Sequence, residues 1–332
     1  METFDLGNFR LTAGFTIPNA KLAYTTHGTL NAAKDNAILF PNFLGGSDQA
    51  LEIYIGEALA LDPRKYFIVL PGQFGNGFSS TPSNTPPPYD RGAFPPIHVA
   101  DDVIAQHRLL TERFGITELQ LVLGWSVGAL QTYEWAVRFP QMVKRMASIA
   151  GAPRPSPWTR LWLSTVIEEP ITSDPAWNNG FYADRLDVQA GLRRQGHCMA
   201  VTLPPLSYYH GDVLRSLGFA SVDDFVRGFF EAFMISQDPN NLLTQARKAC
   251  AADPAQGGDM AKALGRITAK VTNVAFSGDV MFSPQDNEVW ARSIPGARYH
   301  EVTTISGHLT TFGLFPEDKK AVDDAIREAL AA

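Results

Sequence analysis

Cysteine is scarce in this sequence, with Cys198 and Cys250 the two thiols among 332 residues. Two are too few for the disulfide framework of a small secreted fold or for a four-thiolate zinc site. A basic excess is also absent. Lys and Arg total 28 against 34 Asp and Glu, and a net charge of −6 lacks the electrostatic footprint of a nucleic-acid binder. No stretch approaches the roughly 20 apolar residues that a membrane span requires. The opening Met1-Glu2-Thr3-Phe4-Asp5 has neither the basic start nor the apolar run of a secretion signal. The expectation is therefore a cytoplasmic protein without membrane or nucleic-acid partners. Internal repeats and low-complexity tracts are missing as well. Apolar material is not: 45% of the residues are hydrophobic, enough to pack a core and to exclude global disorder. The length exceeds the usual domain of roughly 100–200 residues. It leaves room for one large domain or for a core with a long insertion.

Apolar runs of strand length recur at 37–40, 66–70, 119–123 and 146–149, and 9–28 reads as two strands about a turn at Pro18-Asn19. Between them lies a helical pattern over 101–114, with Val103, Ile104, Leu110 and Phe114 on one face. Asp101 and Asp102 suit its start and Gly115 its end. Strands alternating with helices predict an α/β fold whose sheet is mostly parallel and flanked by helices. After Gly151 the text changes to helix-like pieces broken by Pro and Gly and rich in aromatics, among them Trp158, Trp162, Trp177, Tyr208, Phe229 and Phe233. Strand-like text returns at 271–276 and 297–302, before an amphipathic helix over about 317–330. The simplest organisation is a core of residues 1–152 and 271–332, interrupted by a helical insertion over 153–270. Laid over the carboxyl edge of the sheet, that insertion would be a lid.

The strongest local signal is Gly124-Trp125-Ser126-Val127-Gly128, between an apolar strand and a helical pattern. That context is what a nucleophile elbow requires, a turn so tight that the flanking positions must be small. A serine hydroxyl is a weak nucleophile until a base takes its proton, and the base needs an orienting acid. His308 follows the last strand and Asp279 the strand before it, where the carboxyl ends of a sheet would bring them to Ser126. The order Ser, Asp, His is that of the α/β-hydrolase fold. Asp286 and Glu288 are weaker rivals for the acid because they lie in a helical pattern. The Val127 amide, just after the nucleophile, is one expected oxyanion donor. The amide of Leu44, in the Gly-rich turn after the third strand, is the other. A second Gly-rich run, Gly72 to Gly77, lacks the Gly-Lys-Ser/Thr ending of a phosphate loop. His197-Cys198 offers no second ligand pair, so no metal site is expected.

Beyond these motifs the sequence resembles the homoserine O-acetyltransferase family within the α/β-hydrolase fold, over nearly its whole length. The resemblance rests on Leu22 to Asn31, on Phe94-Pro95-Pro96-Ile97 with Asp101 and Asp102, and on Gly128-Ala129-Leu130-Gln131. The run from Asp174 to Tyr182 is similar to a lid motif of that family. The resemblance implies a ping-pong reaction in which Ser126 takes an acyl group from acyl-CoA and passes it to an alcohol. It also implies a homodimer joined through the lid helices. Two positions depart from the family. Its typical members carry an acidic residue after the catalytic histidine, to hold the substrate amine, where this chain has Leu309. They carry an arginine in the lid, matched by Arg193, and then a tyrosine where this chain has Ala200. An amino acid needs partners for both of its charges, because an unpaired buried charge costs several kcal/mol. Homoserine is therefore disfavoured, and Trp125, Arg193 and Leu309 are the substrate-contacting candidates.

Two enzymatic readings follow, and a non-catalytic binding module is disfavoured by the complete set of triad residue types. The first is a serine hydrolase of the esterase or lactonase type acting on a small, fairly apolar acyl ester. The second is an acetyl-CoA-dependent O-acyltransferase with a non-homoserine alcohol as acceptor. Neither needs a cofactor, acyl-CoA entering the second as co-substrate.

Overall fold

In the computed structural model, which describes residues 1–332, eight strands form one sheet. They are β1 (Glu2–Arg10), β2 (Thr16–His27), β3 (Ala37–Leu39), β4 (Phe67–Pro71), β5 (Leu121–Trp125), β6 (Arg145–Ile149), β7 (Lys270–Phe276) and β8 (Arg298–Val302). Their order in the sheet is β1-β2-β4-β3-β5-β6-β7-β8, antiparallel at β1–β2 and β2–β4 and parallel elsewhere. The central strands are apolar on both faces because helices cover both faces. Alternate residues accordingly feed different cores. Phe67, Val69 and Val122 join the larger one with the helices Val99–Arg108 and Val127–Arg138. Ile68, Leu70, Leu121 and Leu123 join the smaller one, closed by Val322, Ala325, Ile326 and Ala329 of the last helix, Pro316–Ala331.

Two local expectations shift. Pro18-Asn19 is not the first reversal: the chain turns at Leu11 to Phe15, where the Leu11 amide reaches the Phe15 carbonyl at 2.8 Å. Asn19, at φ 49°, lies inside β2 beside an irregularity in the β1–β2 register, opposite which Gly7 is also left-handed. The tolerance of Asn for positive φ serves a bulge there and not a hairpin. The helix expected over 101–114 begins at Val99, and its last turn, Leu109–Phe114, widens to π geometry before Gly115 ends it at φ 65°.

Between β6 and β7 the chain forms helices and no strand of the sheet. No helix of the chain is long and apolar enough to cross a membrane. One of these helices, Pro239–Cys250, is tied to the sheet-flanking layer by a charge pair without solvent contact. Lys248 Nζ lies 2.6 Å from Asp102 Oδ2, and both side chains are fully buried. Lys248 also donates to the Gln73 side chain at 2.8 Å and to the Phe74 carbonyl at 2.9 Å. Burial pushes the Asp102 carboxyl up and the Lys248 ammonium down, and their mutual attraction opposes both shifts.

Removing one member of such a pair leaves the other charge uncompensated. Lys248→Met is expected to lower unfolding free energy by about 3–5 kcal/mol in urea titrations, and adding Asp102→Asn should recover part of the loss. A single-variant cost under about 1 kcal/mol would show that the pair does not hold this helix.

Candidate active site

β5 ends at Trp125 and a helix starts at Val127, so one residue must reverse the chain between them. That residue is Ser126, held at φ 53° and ψ −127°, a conformation a side chain adopts at a cost of about 1–3 kcal/mol. The flanking glycines explain how the turn closes. A Cβ at Gly124 would lie 2.5 Å from the carbonyl carbon and oxygen of Gly128, and one at Gly128 would lie 2.7 Å from the Pro41 carbonyl oxygen. Two backbone segments thus pass where any side chain would stand. The Ser126 amide points back into the fold, toward the carbonyls of Ile149 and Ala150.

His308 sits in the short turn Gly307–Phe312 beyond β8, with its Nδ1 2.7 Å from Asp279 Oδ2. The other carboxylate oxygen, Oδ1, accepts the amides of Met281 at 2.9 Å and Phe282 at 3.0 Å. These bonds fix the carboxylate, which as an acceptor requires the proton of the neutral imidazole on Nδ1. Nε2 is left as the basic nitrogen. The residue before each of these groups is a glycine in left-handed backbone, Gly278 at φ 75° and Gly307 at φ 53°. A Cβ on either would stand 2.8 Å from the Pro205 ring. Asp286 and Glu288, the rivals for the acid, lie in the helix Pro284–Arg292 and make no bond to His308; Glu288 pairs with Arg292 at 2.6 Å.

Ser126, His308, Leu44 and Trp125 line one small cavity of about 40 Å³, closed by Trp162, Ile167, Met281 and Thr311 among others. Ser126 and His308 face that space without a direct hydrogen bond between them. The Leu44 amide has no acceptor within the protein, whereas the amides of Phe43, Gly45 and Gly46 around it are all bonded. The Val127 amide is equally unpaired, as expected at a helix start, where the backbone presents positive charge. The two expected oxyanion donors are therefore the unpaired amides next to the serine and across from it.

A second cavity, of about 610 Å³, shares Phe43, Met199, Leu203, Phe233 and Phe312 with the small one. Leu309 is wholly buried and lines this larger chamber. Trp125 packs among Phe40, Phe43 and Tyr54, with ring centroids 4.9–5.7 Å apart. Arg193 is placed differently. Its side chain is 49% exposed, pairs with Glu231 at 2.5 Å and lines neither chamber. Sequence reasoning missed Met199, Leu203 and Phe312, apolar residues without a motif. Phe233 was marked only by the aromatic content of its region. No group of three or more His, Cys, Asp and Glu side chains is arranged to hold a metal ion.

A family model described as alpha/beta hydrolase fold matches residues 38–311. An ethyl acetate hydrolase from Pseudomonas veronii is 42% identical over 334 residues, covering 100% of this chain and 95% of that protein. The crystal structure of an acetylester hydrolase from Corynebacterium glutamicum is similar at a TM-score of 0.97 and 39% identity, over 100% of this chain and 96% of that one. A homoserine O-acetyltransferase from Chlorobaculum parvum is more distant, 30% identical over 311 residues, or 90% of this chain and 87% of that protein. The resemblance to that group holds, with the esterases standing nearer.

The tightness of the turn at Ser126 is open to a direct check. Gly124→Ala is expected to lower stability by about 1–3 kcal/mol, read as a lower denaturant midpoint, because backbone and not a flexible side chain blocks the new methyl. An unchanged midpoint would mean that the turn has slack.

Proposed function

This chain belongs to the alpha/beta hydrolase fold family, and we propose that it hydrolyses small, apolar acyl esters through Ser126, His308 and Asp279. The observation that carries the proposal is the His308–Asp279 pair at 2.7 Å, opening on the same small cavity as a serine held in left-handed backbone. In the first half-reaction His308 Nε2 takes the proton of the Ser126 hydroxyl as Oγ attacks the ester carbonyl carbon. The Leu44 and Val127 amides donate to the resulting oxyanion. Collapse expels the alcohol, which leaves with the proton from His308, and an acyl-serine remains. In the second half His308 takes a proton from water, whose oxygen attacks the acyl carbon. The carboxylic acid departs and Ser126 recovers its proton. Asp279 keeps the imidazole in the productive tautomer and stabilises its protonated form.

The two chambers suit the two parts of the ester. The small cavity at Ser126 takes a short acyl group such as acetyl, and the larger chamber takes the alcohol portion. This reading agrees with two similar proteins whose names specify ethyl acetate and acetyl esters. The helical segment over 153–270 acts as a lid on the core, supplying Met199, Leu203 and Phe233 to both chambers. Leu309, buried and apolar beside His308, offers no counter-charge to an amino group, which sets this site apart from a homoserine site. The chemistry calls for no cofactor.

The competing route is acetyl-CoA-dependent transfer to an alcohol held in the larger chamber. Timing the decay of the acyl-enzyme formed from p-nitrophenyl acetate separates the two. Decay in water alone at the full turnover rate is expected. Acyl-enzyme that persists in water and is discharged only by added alcohol would reverse the assignment in favour of transfer. Run alongside, hexanoate esters should react at least about tenfold more slowly in kcat/KM than acetate esters, since surplus methylenes in a closed pocket cost about 1–3 kcal/mol each.

A further inference from the structure

The mechanism leaves one buried polar system unused. It lies behind the turn from Asn42 to Gly46 and consists of Gln73, Gln131, Gln245, Lys248 and Asp102, all at or near zero exposure. Its bonds converge on the peptide groups on either side of Leu44. Gln73 Nε2 donates to the Phe43 carbonyl at 2.9 Å and more weakly to that of Asn42 at 3.3 Å. Gln245 Oε1 accepts the Gly45 amide at 3.0 Å, and Gln131 Nε2 donates to the Asn42 carbonyl at 3.1 Å. The Phe43 carbonyl and the Leu44 N–H belong to one planar trans peptide and point in opposite directions. Holding that carbonyl on Gln73 therefore aims the Leu44 N–H to the other side. The next peptide, which joins Leu44 to Gly45, is fixed in the same way by Gln245.

The orientation of both side-chain amides follows from their other partners. Lys248 has protons to give and no lone pair, so Gln73 must turn its oxygen to Lys248 at 2.8 Å and its NH2 to Phe43. The Gly75 carbonyl can only accept, so Gln245 turns its NH2 there at 3.0 Å and keeps its oxygen for Gly45. Asp102 completes the set. It pairs with Lys248 at 2.6 Å and accepts the Phe74 amide at 2.7 Å. Reversing either glutamine amide would set donor against donor in a fully buried site.

We propose that Gln73, oriented by the Lys248–Asp102 pair, and Gln245, oriented by the Gly75 carbonyl, are positioning residues for the oxyanion-stabilising amide of Leu44. This rests on the role given to Leu44 above. It makes the helix Pro239–Cys250, part of the segment between β6 and β7, a determinant of transition-state binding as well as of the cover. A misaimed donor loses more stabilisation of the charge developing in the transition state than of the neutral ester, so the loss falls on kcat and spares KM.

The test measures kcat and KM with p-nitrophenyl acetate, and unfolding midpoints, for Gln245→Met, Gln73→Met, Gln245→Glu and Ser126→Ala. Removal of a whole oxyanion donor costs about 10²–10³ in kcat, and misaiming one is expected to cost at least about tenfold, with KM within about threefold. Both Met variants should show this split. Gln245→Glu keeps an oxygen for Gly45 and, protonated in its buried place, a donor for Gly75. It should recover most of the lost kcat. A folded Met variant with kcat within about twofold of the parent, or a loss confined to KM, overturns the proposal. Should one Met variant fail to fold, the other decides. If neither folds, Gln245→Glu decides, since a kcat as low as about a tenth of the parent's in that variant also overturns it. Ser126→Ala separates the two levels of inference. Turnover retained in that variant refutes the serine mechanism itself, whereas an inactive Ser126→Ala beside fully active Met variants refutes the positioning role alone.

Discussion

A serine held at φ 53° between a buried strand and a helix is the constraint on which the rest of the site depends. The turn requires Gly124 and Gly128, because the backbone of residue 128 and the Pro41 carbonyl occupy the space of their missing side chains. The contact with Pro41 brings the turn after β3 against the elbow, and with it the unpaired Leu44 amide. One steric requirement thus sets the distance between the nucleophile and its proposed oxyanion donor. Parallel pairing of β5, β6, β7 and β8 then brings the ends of the last two strands, with Asp279 and His308, to the same edge.

The two parts of the chain divide the chemistry between them. The sheet supplies Ser126, Asp279 and His308, each within six residues of the end of a strand and each beside a glycine. The helices between β6 and β7 supply walls, through Met199, Leu203 and Phe233. They also supply Pro205, which packs where side chains at Gly278 and Gly307 would stand. Through Lys248 and Gln245 they enter the polar layer beneath the turn that holds Leu44. Displacing these helices would therefore also loosen the peptide planes around Leu44.

How much of this was legible in the sequence follows from the range of the forces involved. The expectations at Ser126, Asp279 and His308 rest on position after a strand, a signal local to a few residues, and the fold brings His308 to 2.7 Å from Asp279 and onto one cavity with Ser126. The strands could be read because both cores demand apolar side chains at nearly every central position. Pro18-Asn19 misled because a residue tolerant of positive φ serves a bulge as well as a hairpin. Arg193 misled for a tertiary reason. Its helix, Gln189–Thr202, turns Leu192, Gln195, Gly196 and Met199 inward and leaves Arg193 to pair with Glu231 near the surface. The glutamines behind Leu44 carry no motif: Gln245 meets Gly45 across 200 residues of sequence, and Lys248 meets Gln73 across 175. Only the folded chain shows that they are neighbours.

The serine mechanism requires a covalent acyl group on Ser126, which peptide mapping by mass spectrometry of protein acid-quenched during turnover of p-nitrophenyl acetate would detect. An acetyl group is expected on the peptide containing Ser126, absent from the Ser126→Ala variant and lost when the substrate is exhausted. Acetylation confined to another residue, or rapid turnover in which the Ser126 peptide never carries the group, would contradict it.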